Sequence, residues 1–256
     1  MKKVVLKNLN LNSINTLLDI LIPLSDSGTV YFKVSDKGIF TDSHNSSGTI
    51  IKSVKMMSGK VFSDATGLTE KPIKMSFYDG KKVKNALSFL TGSDITATLD
   101  VTEMDNELYA ESMTINTPKV KFKLRAADPS LIEFANVPEE SMSSVFDTES
   151  TDLSFNLTVN EISQIKKICV LDRSDEISIV VEKGDIIVTG SDDSFSISLD
   201  AKADENINNT YRVDKELFNL IDINNYTVYA SLEDSKLILI SELKDCDIVV
   251  TLHEEL

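Results

Sequence analysis

A unit of one amphipathic helix, one β-hairpin and a further strand occurs four times along this sequence. Apolar side chains spaced near 3.6 residues predict helices at residues 12–22, 81–91, 160–170 and 214–222. Alternating β-branched residues closed by polar turns predict hairpins at residues 30–41, 95–111, 177–190 and 226–242. Asn160 and Asp214 are suited to cap the third and fourth helices. Because a helix with one apolar face has to cover one face of a sheet, the repeat predicts an α+β protein with antiparallel sheets outside and four helices on one common side.

The segment at residues 126–149 separates the first two units from the last two. It holds two of the five prolines and has no hydrophobic period of its own. A connection of this length is typical of a functional loop or a domain linker. We therefore predict a first domain at residues 1–125, a connector at 126–149 and a similar second domain at 150–256.

The charge and the apolar content of the chain restrict what it can be. The formal net charge of −15 argues against binding nucleic acid over the whole surface, although it allows a local basic face. An apolar content of 41% is that of a folded protein and excludes a disordered chain. The sequence shows neither a membrane-spanning run nor a signal peptide. We therefore expect a cytoplasmic protein in which Cys169 and Cys246 stay reduced.

Lysines lie on the polar faces of three of the four predicted helices. At 100° per residue, four of them point away from the apolar sides: Lys81, Lys84, Lys167 and Lys215. Lys82 and Lys166 lie at the margins, and the first helix has no lysine. A solvated helix face would explain any one of these residues. Their recurrence on three helices of an acidic chain favours a basic surface that the helices share.

The sequence contains no recognisable set of catalytic or ligand residues. His44 and His253 are the only histidines, and neither belongs to a Cys/His ligand spacing. The motifs GxGxxG, GxxxxGK[ST] and GxSxG do not occur. Adjacent carboxylates are expected by chance among 41 acidic residues. We therefore expect neither an enzyme nor a protein with a metal or cofactor.

Three stretches of the sequence resemble one known family. SFYDGKKVKNALSFLTGSDITATL at Ser76–Leu99 and KFKLRAADPS at Lys121–Ser130 resemble the first domain of the T-even-type bacteriophage DNA polymerase sliding clamps. LTVNEISQIKKICVLDRSDEISIVVEKGDIIVTG at Leu157–Gly190 is similar to the start of their second domain. AADPS is the most specific string, and the likeness continues more faintly to the C-terminal hairpins. The chain departs from the family in extra residues at 53–71 and in the connector, and in the lack of lysine on its first helix.

The resemblance implies a PCNA-like processivity factor. Such a protein is a ring of three identical subunits, in which helices line a hole around duplex DNA and sheets form the outside. An ATP-driven clamp loader places the ring on DNA, and the ring tethers the DNA polymerase. For this chain the resemblance implies a homotrimer in the cytoplasm of a host cell, with no membrane partner. The DNA-facing residues would be the helix lysines at positions 81, 82, 84, 166, 167 and 215.

The resemblance also implies two protein-binding surfaces. An apolar groove beneath the connector would take partner peptides, and it would use Leu131, Ile132, Phe134, Val249 and Leu252. Subunits would meet where an edge strand at residues 119–125 pairs with one at residues 194–202 of the next subunit. The residues of this interface would be Lys119, Lys121, Phe122, Lys123, Ile197 and Asp200. The first strand is basic and the second is flanked by acidic residues, so the two charges are complementary.

One alternative remains open from the residues alone. A two-domain β-rich interaction or structural protein without a DNA role would show the same repeat and the same absence of catalytic motifs. The lysines on the helices favour the clamp over this alternative.

Overall fold

The computed structural model describes residues 2–25, 28–90, 92, 94–128, 147–172, 175–190, 194–243 and 246–253. The chain divides into two compact units. The first unit is formed by Met1–Ser46, Lys52–Val137 and Leu243–Asp247, and the second by Ser47–Ile51, Pro138–Glu242 and Ile248–Leu256. The predicted boundaries of the domains at 125 and 150 stay a prediction, because residues 129–146 of the connector lie outside the described residues.

The strands of the first unit form a mixed sheet. In chain order they are β1 Lys2–Lys7, β2 Val30–Ser35, β3 Gly38–His44, β4 Ile50–Met57, β5 Asp64–Thr66, β6 Ile73–Phe77, β7 Thr96–Met104, β8 Glu107–Asn116 and β9 Lys121–Arg125. Their spatial order is β4-β3-β2-β6-β8-β7-β1-β5, and β9 pairs with β8. All pairs with a described register are antiparallel except β6 and β8, which run parallel where Ile73 lies opposite Leu108.

Three helices belong to the first unit: α1 Leu11–Leu21, α2 Ser58–Val61 and α3 Gly80–Ser88. The side chain of Asn10 caps α1 by accepting the backbone N–H groups of Asn12 and Ser13. The apolar sides of α1 and α3 and one face of the sheet are buried, including Leu18, Leu87, Val4, Leu99 and Ile115. Burial of these side chains supplies most of the driving force for folding.

The second unit has two helices and two groups of antiparallel strands. The helices are α4 Val159–Cys169 and α5 Lys215–Asn219. The strands are β10 Leu153–Leu157, β11 Glu176–Glu182, β12 Asp185–Gly190, β13 Ser196–Lys202, β14 Asn209–Asp214, β15 Tyr226–Ser231, β16 Lys236–Leu243 and β17 Cys246–His253. One group has the order β10-β15-β16-β17 and the other β13-β12-β11-β14. Ile162, Ile165 and Phe218 on the helices are buried, as are Ile177 and Val228 on the strands.

The helices and hairpins of the repeat are present near their predicted positions, but four equal units are not established. The predicted hairpins correspond to β2–β3, β7–β8, β11–β12 and β15–β16. The last helix has only five residues, and α2 and β5 interrupt the first half without counterparts among the described residues of the second. The described residues contain five α-helices, none of them long and apolar enough to cross a membrane.

Candidate functional site

Helix α3 presents two lysines to solvent. Asp79 caps the helix by accepting the backbone N–H of Lys82 at 2.8 Å. A Cβ atom on Gly80 would lie 2.7 Å from Cγ1 of Val30, so any other residue at the start of α3 would have to displace this side chain of β2. Val83 is buried on the opposite side of the helix, and this orientation leaves Lys81 and Lys82 exposed.

Lys84, on the same helix, is ion-paired. Its ammonium group contacts the carboxylate of Asp19 on α1, and both side chains are about half exposed. An exposed ion pair stabilises a fold by only about 0–1 kcal/mol. Its larger effect is to neutralise part of the charge of Lys84, so the positive charge of the α1–α3 pair comes mainly from Lys81 and Lys82.

Two lysines connect α4 and α5, one from each helix. Lys166 on α4 donates to the backbone carbonyl of Asn219 at 2.8 Å and to that of Ile221. Lys215 at the start of α5 donates to the carbonyl of Asp172, just beyond α4, at 3.1 Å. The last carbonyls of a helix lack intrahelical donors and attract cations. Lys166 therefore caps the end of α5, and Lys215 connects the start of α5 to the segment that follows α4.

The predicted DNA-facing lysines thus fall into two groups. Lys84, Lys166 and Lys215 contact neighbouring groups of their own unit. Lys81, Lys82 and Lys167 are exposed, and no hydrogen bond or ion pair of their side chains occurs within the described part of the chain. The three exposed lysines are free to contact a mobile anionic ligand. That any of them faces DNA stays a prediction.

The basic strand predicted for subunit contact is an edge strand. β9 pairs only with β8 among the described strands, with Phe122 opposite Ile115. Its burial alternates as the sequence predicts: Lys121, Lys123 and Arg125 are exposed, whereas Phe122 is half-buried. Lys119 is also exposed and precedes the strand by two residues. The other edge of β9 leaves backbone groups available for a further strand.

Lys123 is held by a carboxylate within its own sheet. Its ammonium group lies 3.0 Å from Oδ2 of Asp100 on β7, and the hydroxyl of Ser112 donates to the same oxygen at 2.8 Å. The hydrogen bonds from Lys123 and Ser112 lower the pKa of Asp100 below its ordinary value of 3.8. Lys123 is therefore a part of the sheet as well as a candidate interface residue.

The proposed partner strand, β13, is also at an edge. It is the first strand of the order β13-β12-β11-β14 and pairs with β12, where Ile197 lies opposite Val188. Ile197 is half-buried and Asp200 is exposed. The backbone N–H of Asp200 is already used, because it donates to Oε1 of Glu161 at 2.9 Å. Pairing of β13 with β9 of another copy stays a prediction.

The predicted peptide groove is mostly beyond the described part of the chain. Leu131, Ile132 and Phe134 lie outside the described residues. Val249 belongs to β17, and Leu252 on the same strand is buried with 3% of its surface exposed. The groove therefore stays a prediction.

Two features could not be found, or were not found, from the sequence: the N-cap of α4 in the second unit, and an ion pair in the first unit. Thr158, not Asn160, is the N-cap of α4, and Glu161 completes a capping box with it. The spacing T-x-x-E before an apolar run is a known signal for this cap and could have identified it. The contact of Asp100 with Lys123 joins residues 23 positions apart on different strands, and no local pattern indicates it.

Comparisons with known proteins identify the fold of the chain but not its family. No family model matches the chain, and no curated protein matches it. Among solved structures, the crystal structure of Proliferating Cellular Nuclear Antigen from Entamoeba histolytica is similar, with a TM-score of 0.70, and the match covers 99% of this chain and 99% of that one. The chain has the PCNA fold. Because the sequences are only 18% identical, the likeness shows the PCNA-like fold and leaves the function to be argued from the site.

Proposed function

We propose that this chain is a DNA sliding clamp, a ring that encircles duplex DNA and tethers a DNA polymerase without chemistry of its own. The observation that carries the proposal is the PCNA fold over the full length of both chains. A match to one domain alone would not support a ring subunit, because a clamp needs both of its domains to bridge to the next subunit.

The exposed helix lysines support contact with DNA. Lys81, Lys82 and Lys167 carry charges that no described group of the chain neutralises. Long, solvated lysines contact phosphates as mobile point charges, which suits a protein that moves along DNA without reading bases. Such binding weakens steeply as salt rises.

The two edge strands support assembly from identical copies. In the proposed homotrimer, β9 of one subunit pairs with β13 of the next, so the contact is head-to-tail and closes into a ring. The exposed basic face of β9 and the exposed Asp200 on β13 are complementary in charge.

The remaining partners rest on the sequence resemblance. The strings at residues 76–99, 121–130 and 157–190 support a clamp of the T-even phage type, which works in the host cytoplasm with its own polymerase and ATP-driven loader. Partner peptides would bind the groove at the connector, as predicted from Leu131, Ile132 and Phe134.

A topological assay tests this function. The labelled protein is loaded with a cognate loader and ATP onto nicked circular DNA, and its retention is measured before and after the circle is cut once. A sliding clamp stays on the circle and leaves the linear product, whereas a DNA-binding protein that does not encircle its ligand shows no difference. A protein that is monomeric and never retained on the circle would be the interaction or structural protein without a DNA role.

A further inference from the structure

Glu161 is a buried carboxylate that the proposed function does not use. Its side chain lies in the first turn of α4, and the residue is 7% exposed. Oε2 accepts the backbone N–H of Thr158 at 2.8 Å and the hydroxyl of Thr158 at 2.6 Å. Oε1 accepts the backbone N–H of Asp200 at 2.9 Å. Two of its three hydrogen bonds therefore cap α4, and the third reaches across to β13.

Strand β13 is irregular at the point where Glu161 contacts it. Ile187 lies opposite Ser198 and Asp185 lies opposite Lys202, so Ile186 alone faces residues 199–201. The extra residues of such a bulge cannot complete the ladder with the neighbouring strand. The N–H of Asp200 donates outside this ladder, to a carboxylate oxygen at 2.9 Å. Glu161 supplies that acceptor.

We propose that Glu161 is a positioning residue for subunit contact, which holds the β13 bulge in place so that the strand offers its regular part, residues 196–198, to β9 of a neighbouring copy. This inference rests on the proposed function, because it takes β13 as a contact strand. The same carboxylate caps the helix that carries Lys167. One side chain therefore connects the proposed DNA-facing helix to the proposed subunit edge.

The substitution Glu161→Gln separates the two roles of the side chain. A glutamine has one acceptor oxygen, and two of the three donors belong to Thr158. With that oxygen facing Thr158, the NH₂ group of the glutamine faces the N–H of Asp200. Both groups are donors, so the hydrogen bond to Asp200 is lost. We expect hydrogen exchange at the Asp200 amide to speed up at least tenfold and the dissociation constant of the assembly to rise at least tenfold.

The matched control is Thr158→Val, which removes the hydroxyl of the cap and leaves the contact between Glu161 and Asp200 in place. We expect faster exchange in the first turn of α4, with exchange at Asp200 and the dissociation constant changed less than twofold. If E161Q loses the fold, E161D is used instead. That variant keeps the negative charge but shortens the side chain by one methylene, which lengthens the contact with Asp200, and it carries the same expectations.

Two results overturn the inference: unchanged exchange at Asp200 in the Glu161 variant, or a loss of assembly in T158V as large as in that variant. A wild-type protein that stays monomeric at every concentration contradicts the proposed function instead. In that case, hydrogen exchange in E161Q still tests whether Glu161 positions β13: faster exchange at Asp200 and at residues 196–198 supports it, and unchanged exchange contradicts it.

Discussion

Lys166 and Lys167 are neighbours in sequence, but their surroundings differ completely. The ammonium group of Lys166 contacts the carbonyls of Asn219 and Ile221, whereas Lys167 is exposed to solvent. A side chain that is already bonded within the fold has less freedom to follow a moving phosphate. At the scale of single residues, identical charges can therefore serve stability or binding depending on the contacts that hold them.

This difference gives a paired prediction. Lys167→Ala should lower the magnitude of the slope of log K against log salt by about 1 for each phosphate that the variant no longer neutralises, with little change in stability. Lys166→Ala should leave this slope unchanged and lower the free energy of unfolding by about 1–2 kcal/mol, since it removes hydrogen bonds from a charged donor. DNA affinity titrations at several salt concentrations and urea unfolding measure the two effects. Equal slopes for the two variants would show that Lys166 and Lys167 do not differ in their contact with DNA.

Asp100 gives a prediction about pH. Because hydrogen bonds from Lys123 and Ser112 lower the pKa of Asp100, this carboxylate stabilises the fold above its ordinary value of 3.8. That contribution is lost as the pH falls through the lowered pKa of the folded state. Asp100→Asn should therefore be less stable than the wild type at pH 6, and the difference should shrink as the pH approaches 3. Urea unfolding across this range measures it.

Lys123→Met is the matched control for the prediction about Asp100. It removes the main partner of the carboxylate, so adding Asp100→Asn to it should cost less stability than Asp100→Asn does alone. A difference between wild type and D100N that stays constant with pH would mean that Asp100 keeps its ordinary pKa.

At the scale of elements, the edge strand β9 allows a test of assembly by charge. Lys121→Glu should weaken association, because in the proposed pairing it would place a carboxylate opposite the acidic residues in and beside β13, and Asp200→Lys should restore part of the loss. Lys121 is a better choice than Lys123, since reversing Lys123 would also leave Asp100 without its cation. Sedimentation at several protein concentrations measures the change.

The control for this test is Lys37→Glu, the same charge change at an exposed turn between β2 and β3. It should leave association unchanged. An assembly that is indifferent to Lys121→Glu would show that β9 is not the contact edge.

Elements with a local pattern could be predicted from the sequence, and contacts between distant elements could not. The 3.6-residue spacing of Ile162, Ile165 and Cys169 identified α4 within one residue at each end. The edge positions of β9 and β13 came only through the family resemblance, because nothing within a strand shows which strands lie beside it. Lys166 contacts a carbonyl 53 residues away, so its role needed the folded structure.

At the scale of the whole molecule, the proposed clamp should bind polymerase peptides at its connector. Ile132→Asp should weaken binding of the C-terminal peptide of the cognate polymerase at least tenfold, because it would place a charge in the predicted apolar groove. Fluorescence anisotropy measures the affinity, and Asp128→Asn, which removes a charge from an exposed residue four positions earlier in the sequence, is the control. Unaltered affinity in the Ile132 variant would place the peptide site elsewhere.

Before a ring closes, the edge strands β9 and β13 make the single chain prone to uncontrolled association. Free edges of opposite charge can join copy after copy into an open filament, or template the pairing of partly folded chains. The bulge at residues 199–201 interrupts β13 after three regular residues, and lysine or arginine occupies alternate positions of β9. We therefore expect the irregularity that shapes the proposed contact also to protect the newly synthesised subunit from aggregation.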